Sequence, residues 1–202
     1  MKNIVITLLL LLGMCSASAQ LIKEKEPVDP KYLTGAVPVV DGKVTFSRDV
    51  PVPVPMSQDS LFRYVHRWAN YFFSEQKALK YYDLGSDRKA FIHDLGVAQY
   101  LVFKNKALAL DRARIFFRLN IKQEDGKLHV SMTDISYLYE EDRDPFKVTA
   151  EEWITDEYSL NRKKTGFQHG GQGKFRMKTI DHFEEIISDL QLFLEMLAKP
   201  KE

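Results

Sequence analysis

Cysteine is almost missing from this 202-residue chain, Cys15 being the only one. A single thiol forms no intrachain disulfide and no thiolate zinc site, so stability has to come from a packed core. An excess of charge of one sign is missing as well. The 29 Lys and Arg stand against 28 Asp and Glu, which provides no global attraction to nucleic acid or anionic lipid, and no nucleic-acid partner is expected. Long apolar runs are limited to Ile4 to Leu12, far short of the ~20 residues that span a bilayer. Histidines are few and scattered: His66, His93, His129, His169 and His182 contain no i, i+4 pair and no HExxH arrangement, so no metal site is expected. Asp83, Asp87 and Asp94 lack the spacing of a calcium loop and read as turn residues. No GxSxG elbow accompanies His169-Gly170-Gly171, and Gly173-Lys174-Phe175 lacks the Ser or Thr that ends a phosphate-binding loop. Catalytic residues and cofactors are accordingly assigned to none.

What is present begins with an export signal. Lys2 precedes the apolar run, and Ala17-Ser18-Ala19 offers the small side chains signal peptidase needs, which predicts a signal peptide over 1–19 cut before Gln20. Met14 is too large for the position before a lipid-modified cysteine, so a Cys15 lipoprotein is disfavoured. The expected location is periplasmic, cell-surface or secreted, with no membrane span after cleavage. Loss of Lys2 with that segment leaves 28 basic residues against 28 acidic ones. The remaining length suits one domain with a substantial core.

Residues 20–36, polar and interrupted by Pro27 and Pro30, predict a flexible leader. Two short apolar runs flank Asp41-Gly42, a dipeptide suited to a tight hairpin. Pro51, Pro53 and Pro55 predict an edge or linker rather than a central strand. Ser57 caps a helix stapled by Met56 and Leu61, whose inner stripe continues through Val65, Trp68 and Phe72 and ends near Ser74. Trp68 on that stripe reads as core rather than as a ligand platform. Short strands near Lys80 and Phe91 and a better one over Val97 to Phe103 follow. Leu110 to Tyr139 predicts a long hairpin (110–139) reversing at Asp125-Gly126, and Thr149 with Glu152 a capping box. Asn161 to Lys178, glycine-rich and basic, predicts a surface loop. The stripe Ile180, Phe183, Ile186, Ile187, Leu190, Phe193, Leu194 and Leu197 predicts a helix over 180–197.

The hairpin's period-two geometry sorts its side chains. Ala113, Ile115, Phe117, Leu119 and Ile121 with Val130, Met132 and Leu138 form the inner face, where Asp134 and Ser136 fit poorly and point to a bulge. The other face collects Arg112, Arg114, Phe116, Arg118, Asn120 and Lys122 against His129, Ser131, Thr133, Ile135, Tyr137 and Tyr139. Guanidinium forks and flat aromatic rings of this kind bind carboxylates, phosphates or sugars; a solvated strand face that blocks edge pairing has the same composition.

The signal peptide, Asp41-Gly42-Lys43-Val44, the Ser57-capped helix with Trp68, the Asp125-Gly126 hairpin and Thr133-Asp134-Ile135-Ser136-Tyr137 occur in an order that resembles exported bacterial domains of unknown function with a TATA-binding-protein-like (TBP-like) fold. The resemblance covers Val37 to Tyr139. It implies an α+β fold, a curved antiparallel sheet with helices packed on one face, as a single domain over 37–199. It implies no activity, and a scaffold does not import DNA binding with it. The expected function is noncatalytic binding of an envelope protein or glycan through the open sheet face, with Arg112, Arg114, Arg118, His129, Tyr137 and Tyr139 as ligand-contacting residues. The alternatives are an envelope hydrolase using His129 with a carboxylate, and a structural domain without a ligand.

Overall fold

The structure is a computed structural model that describes residues 27–75, 80–106 and 109–198. Val39–Val40 (β1) and Lys43–Val44 (β2) make a small ribbon whose turn residues, Asp41 (φ 49°) and Gly42 (φ 76°), both adopt the left-handed conformation that a two-residue hairpin needs. The main sheet comprises Phe46–Pro51 (β3), Lys80–Asp83 (β4), Ile92–Lys106 (β5), Ala109–Glu124 (β6), Lys127–Tyr139 (β7) and Phe146–Thr149 (β8). Its order is β3-β7-β6-β5-β4. Pairing is antiparallel throughout, and β3 and β8 share the outer edge of β7, β3 along 127–132 and β8 along 136–139. The short β8 had no signal in the sequence. The helices are Gln58–Glu75 (α1), Ala150–Trp153 (α2), Asp156–Ser159 (α3) and Gly170–Ala198 (α4).

Local chemistry accounts for most of these boundaries. The Ser60 N–H donates to Ser57 Oγ at 3.2 Å, closing the first turn of α1. Thr149 and Glu152 form the reciprocal capping box of α2. Asp125 (φ 42°) and Gly126 (φ 79°) reverse the chain so that Glu124 faces Lys127, and the expected register holds as far as Arg118 opposite Thr133.

Beyond that pair the hairpin departs from simple alternation. Asp134 adopts φ 51° and is squeezed out as an extra residue, so that the pairing resumes with Phe116 opposite Ser136. The bulge flips everything downstream by one face. Ile135 and Tyr137 enter the core and Leu138 leaves it, the reverse of the strict period-two assignment.

The inner face packs under the helices. Leu95 and Val97 of β5, Ile115, Phe117, Leu119 and Ile121 of β6, and Leu128, Val130 and Met132 of β7 are all buried. Phe73 of α1 stacks on Tyr81 at 5.4 Å, and Phe183 of α4 meets Phe46 at 5.5 Å. Trp68 Nε1 donates to Asp189 at 2.7 Å, joining α1 to α4, so Trp68 serves the core as expected.

Two further expectations are corrected. The glycine-rich stretch is no loop over its second half: α4 begins at Gly170 because Phe175 and Arg176 are drawn into the core, which outweighs the helix-weakening glycines. A Cβ at Gly173 would overlap the Phe167 ring, so the glycine there permits close packing. The second is the flexible leader, corrected at its described end. Its described end carries a 3₁₀ turn, Pro30–Tyr32, and Tyr32 donates from its hydroxyl to Asp181 of α4 at 2.8 Å. Residues 1–26, with the expected signal peptide, lie outside the described residues.

One histidine is wholly inside. His93 stacks on Phe62 at 4.1 Å and meets Phe91 edge-on. Burial, and then the nearby His66, lower its pKa to about 4, against a smaller opposing pull from Asp83. The unfolded chain binds this proton below about pH 6.5 and the folded chain does not until about pH 4, so folding stability falls as pH drops through that window. The expected loss is roughly 3 kcal/mol. Urea midpoints at pH 7 and pH 4.5 should show most of this loss in the native chain and a smaller one in His93→Phe; equal losses in the two would disprove the assignment.

Candidate functional site

The residues buried under the helices lie on one side of the sheet, and on the opposite side of β6 the side chains are half-buried to exposed, none of them buried. Alternation on β6 places Arg112, Arg114, Phe116, Arg118, Asn120 and Lys122 there, as expected. His129 of β7 joins them. The bulge removes the last two candidates. Tyr137 is buried beneath α4, its hydroxyl 2.8 Å from Thr179 Oγ1, and burial pushes its phenol pKa far up. Tyr139 turns to the same covered side, where its hydroxyl donates to Asp111 at 2.9 Å and accepts from Lys174 Nζ at 2.8 Å. Neither ring reaches the arginines' side of the ribbon.

The aromatic platform is supplied by β5 instead. Tyr100 is the cross-strand partner of Arg114 and lies diagonal to Arg112. The Arg112 guanidinium carbon sits 4.1 Å from the centre of the Tyr100 ring, a cation–π contact, and that of Arg114 is 5.9 Å from the rings of both Tyr100 and Phe116. Reading β6 and β7 alone misses Tyr100, because its position depends on the β5–β6 register, which carries a shift between Val102 and Lys104.

The three arginines differ in what they have left to offer. Arg118 grips Asp94 with both fork nitrogens, Nε to Oδ1 at 2.6 Å and Nη2 to Oδ2, and that carboxylate raises the guanidinium pKa. Asp94 is nearly buried, so this pair braces β5 against β6. Arg114 Nη2 meets Glu141 at 2.8 Å on the rim. Arg112 has no carboxylate partner among the described residues. His129 Nδ1 lies 2.8 Å from Asp49 Oδ1, and Lys127 and then His129 hold the Asp49 carboxyl below its usual range. Two of the three expected turn aspartates behave as the sequence suggests: Asp83 accepts the N–H groups of Gly85 and Ser86, and Asp87 those of Lys89 and Ala90, whereas Asp94 lies within β5, where Arg118 neutralises it.

A six-stranded antiparallel sheet with helices on one face and a bare, arginine-bearing ribbon on the other defines an α+β domain of the TBP-like class. The comparisons agree. The family model for a domain of unknown function (DUF4468) with TBP-like fold matches residues 46–138. The crystal structure of a DUF4468 family protein from Bacteroides ovatus ATCC 8483 is 33% identical, covering 83% of this chain and 95% of that one with a TM-score of 0.73. The chain belongs to the DUF4468 family. A TBP-like protein from Parabacteroides distasonis ATCC 8503, 17% identical over 79% of this chain and 97% of that one, shares the fold at a TM-score of 0.61. No curated protein matches the chain. No helix of the described residues is long and apolar enough to cross a membrane.

Proposed function

We propose that the chain is an exported, noncatalytic binding domain that engages another component of the cell envelope, a protein or a glycan, through the helix-free face of its sheet. The observation that carries this reading is Arg112 on Tyr100: a cation without a carboxylate partner among the described residues, stacked at 4.1 Å on a ring held by the two longest strands. Such a pair presents fork donors and a flat aromatic edge together, the combination that recognises a carboxylate or a sugar ring. Phe116 extends it. Arg114, Arg118 and His129 are held by acids and act as supports. Export rests on the Lys2 to Ala19 segment and predicts a mature chain that begins at Gln20.

The test is capture from a detergent-solubilised envelope extract on the immobilised chain. Arg112→Ser combined with Tyr100→Ala should reduce recovery of the captured component at least about tenfold, the scale of one or two charge-assisted contacts. The melting temperature should hold, since both side chains lie on the uncovered face. Recovery unchanged in a folded double variant would sink the proposal.

The hydrolase alternative has one observation in its favour, the 2.8 Å contact that orients His129 through Asp49. The pair stands on an open strand surface, however, and no hydroxyl hydrogen-bonds to His129 Nε2 among the described residues.

A further inference from the structure

Away from the open face, α1 and the β4–β5 connection form a shallow, solvent-open pocket of about 300 Å³ lined by Phe62, Arg63, His66, Asp83, Ser86 and Arg88. That is the lower end of the range for small-molecule sites, about 300–1,000 Å³. Its apolar element is the Phe62 ring. Directly behind that ring, 4.1 Å away and nearly parallel to it, lies His93, which also stands 6.1 Å from His66. The floor is therefore a two-ring stack, locked edge-on by Phe91 at 5.6 Å from each ring. Phe91 is buried with φ 45°, a conformation bulky residues rarely take, held here by the surrounding rings.

The rim carries donors and acceptors in balance. Asp83 uses Oδ1 to accept its own loop's N–H groups, and those bonds, the Ser86 one foremost, keep the carboxylate ionised, which leaves Oδ2 as an acceptor. Arg88 spends Nε and Nη2 on Asp59, which leaves Nη1 as a donor. Arg63 reaches Asp59 only at 3.8 Å and is largely solvent-facing. Ser86 Oγ is fixed by the Asp94 N–H at 3.1 Å, so the loop that forms this wall is tied to β5. Two arginines against Asp59 and Asp83 cancel, and a charged ligand gains no net attraction. A neutral ligand rich in hydroxyls, with an apolar ring face, can use all of it: its C–H face on Phe62, its hydroxyls on Asp83 Oδ2, Arg88 Nη1 and the His66 ring.

We infer that this pocket is a carbohydrate subsite, distinct from the sheet face, that takes one or two neutral sugar rings stacked on Phe62. The paired donors and acceptors over an aromatic floor support it.

The experiment is ¹H–¹⁵N NMR titration of the folded chain with maltose, cellobiose, lactose and diacetylchitobiose, with glucuronate as the anionic control. At least one of the neutral disaccharides should shift the amides of Phe62, His66 and Ser86, and leave those of Arg112 and Tyr100 in place. His66→Ala alters an exposed side chain and Asp83→Asn keeps the Oδ1 that accepts the loop's N–H groups, and each should weaken that disaccharide about tenfold, the scale of one hydrogen bond to a charged or aromatic-ring donor or acceptor. Arg112→Ser should leave the affinity unchanged, which separates this site from the proposed sheet-face function. No shift with any of the four neutral sugars, shifts with glucuronate alone, or full affinity in both pocket variants would each overturn the inference.

Discussion

Replacing Arg176 with Met is expected to destabilise the fold by about 3–5 kcal/mol, the range for stripping one partner from a buried ion pair. The side chain is wholly buried in α4. Its Nε donates to the Tyr32 carbonyl at 2.6 Å, Nη1 to the Ile154 carbonyl at 2.7 Å and to Ser159 Oγ at 3.3 Å, and Nη2 to the Leu33 carbonyl at 2.5 Å and to Asp156 at 2.7 Å. Burial works against its charge and lowers its pKa, with Asp156 opposing. No other side chain has donors in this planar fork, so Arg176→Lys should recover only part of the loss. The guanidinium ties the segment around Tyr32 and Leu33, the α2–α3 turn and α4 into one unit, and Asp156 also accepts the Gly35 N–H at 2.9 Å. Urea unfolding measures the loss, and amide exchange at Gly35 and Ala36 should accelerate more than at Leu119. A Met variant within about 1 kcal/mol of the native chain would show that the clamp contributes little.

The second large effect is at Tyr137. A tyrosine on an open ligand-binding face can be truncated without harm, whereas Tyr137→Ala should cost about 3–5 kcal/mol, as for other buried aromatics. Its ring meets Phe175 edge-on at 5.0 Å and its hydroxyl pairs with Thr179, itself buried. Tyr137→Phe keeps the ring and leaves the Thr179 hydroxyl without this partner, at an expected cost of about 1–2 kcal/mol. Tyr100→Ala is the surface control and should lie within about 0.5–1 kcal/mol of the native chain. Equal stabilities for the Tyr137 and Tyr100 alanine variants would mean that the bulge at Asp134 is absent in solution.

That bulge marks where the hairpin stops being legible from sequence. Asp125-Gly126 and the alternating Ala113 to Ile121 settle the register locally, because a two-residue turn with both φ positive leaves one pairing and a buried face tolerates no slip. Asp134 is the residue that does not fit the inner face, and aspartate is among the few non-glycine residues that enter the left-handed region readily. Its place in the run therefore signals an irregularity. Whether the chain answers by burying the carboxylate or by extruding it depends on what Ile135 and Tyr137 gain under α4, and that gain is a contact between elements far apart in sequence. The loop expected before Ile180 failed for the same reason. Glycines weaken an isolated helix, and only the docking of Phe175 and Arg176 against β5, β7 and the Tyr32 turn makes those residues helical.

On its own, the chain's order of residues determined the elements whose causes lie within a turn or two: the Ser57 and Thr149 caps, the two Asp-Gly reversals, the apolar stripes of α1 and α4, and which side of β6 carries the arginines. Each depends on backbone geometry and on neighbours a few positions away. Tertiary structure alone decided which arginine keeps its donors, that Tyr100 rather than Tyr137 lies beneath Arg112, and that Phe62 and His93 stack at the base of a pocket. Those outcomes are set by which strands lie side by side and at what offset, and the free energy that selects the offset comes from burying surfaces that meet only once the sheet and its helices have assembled.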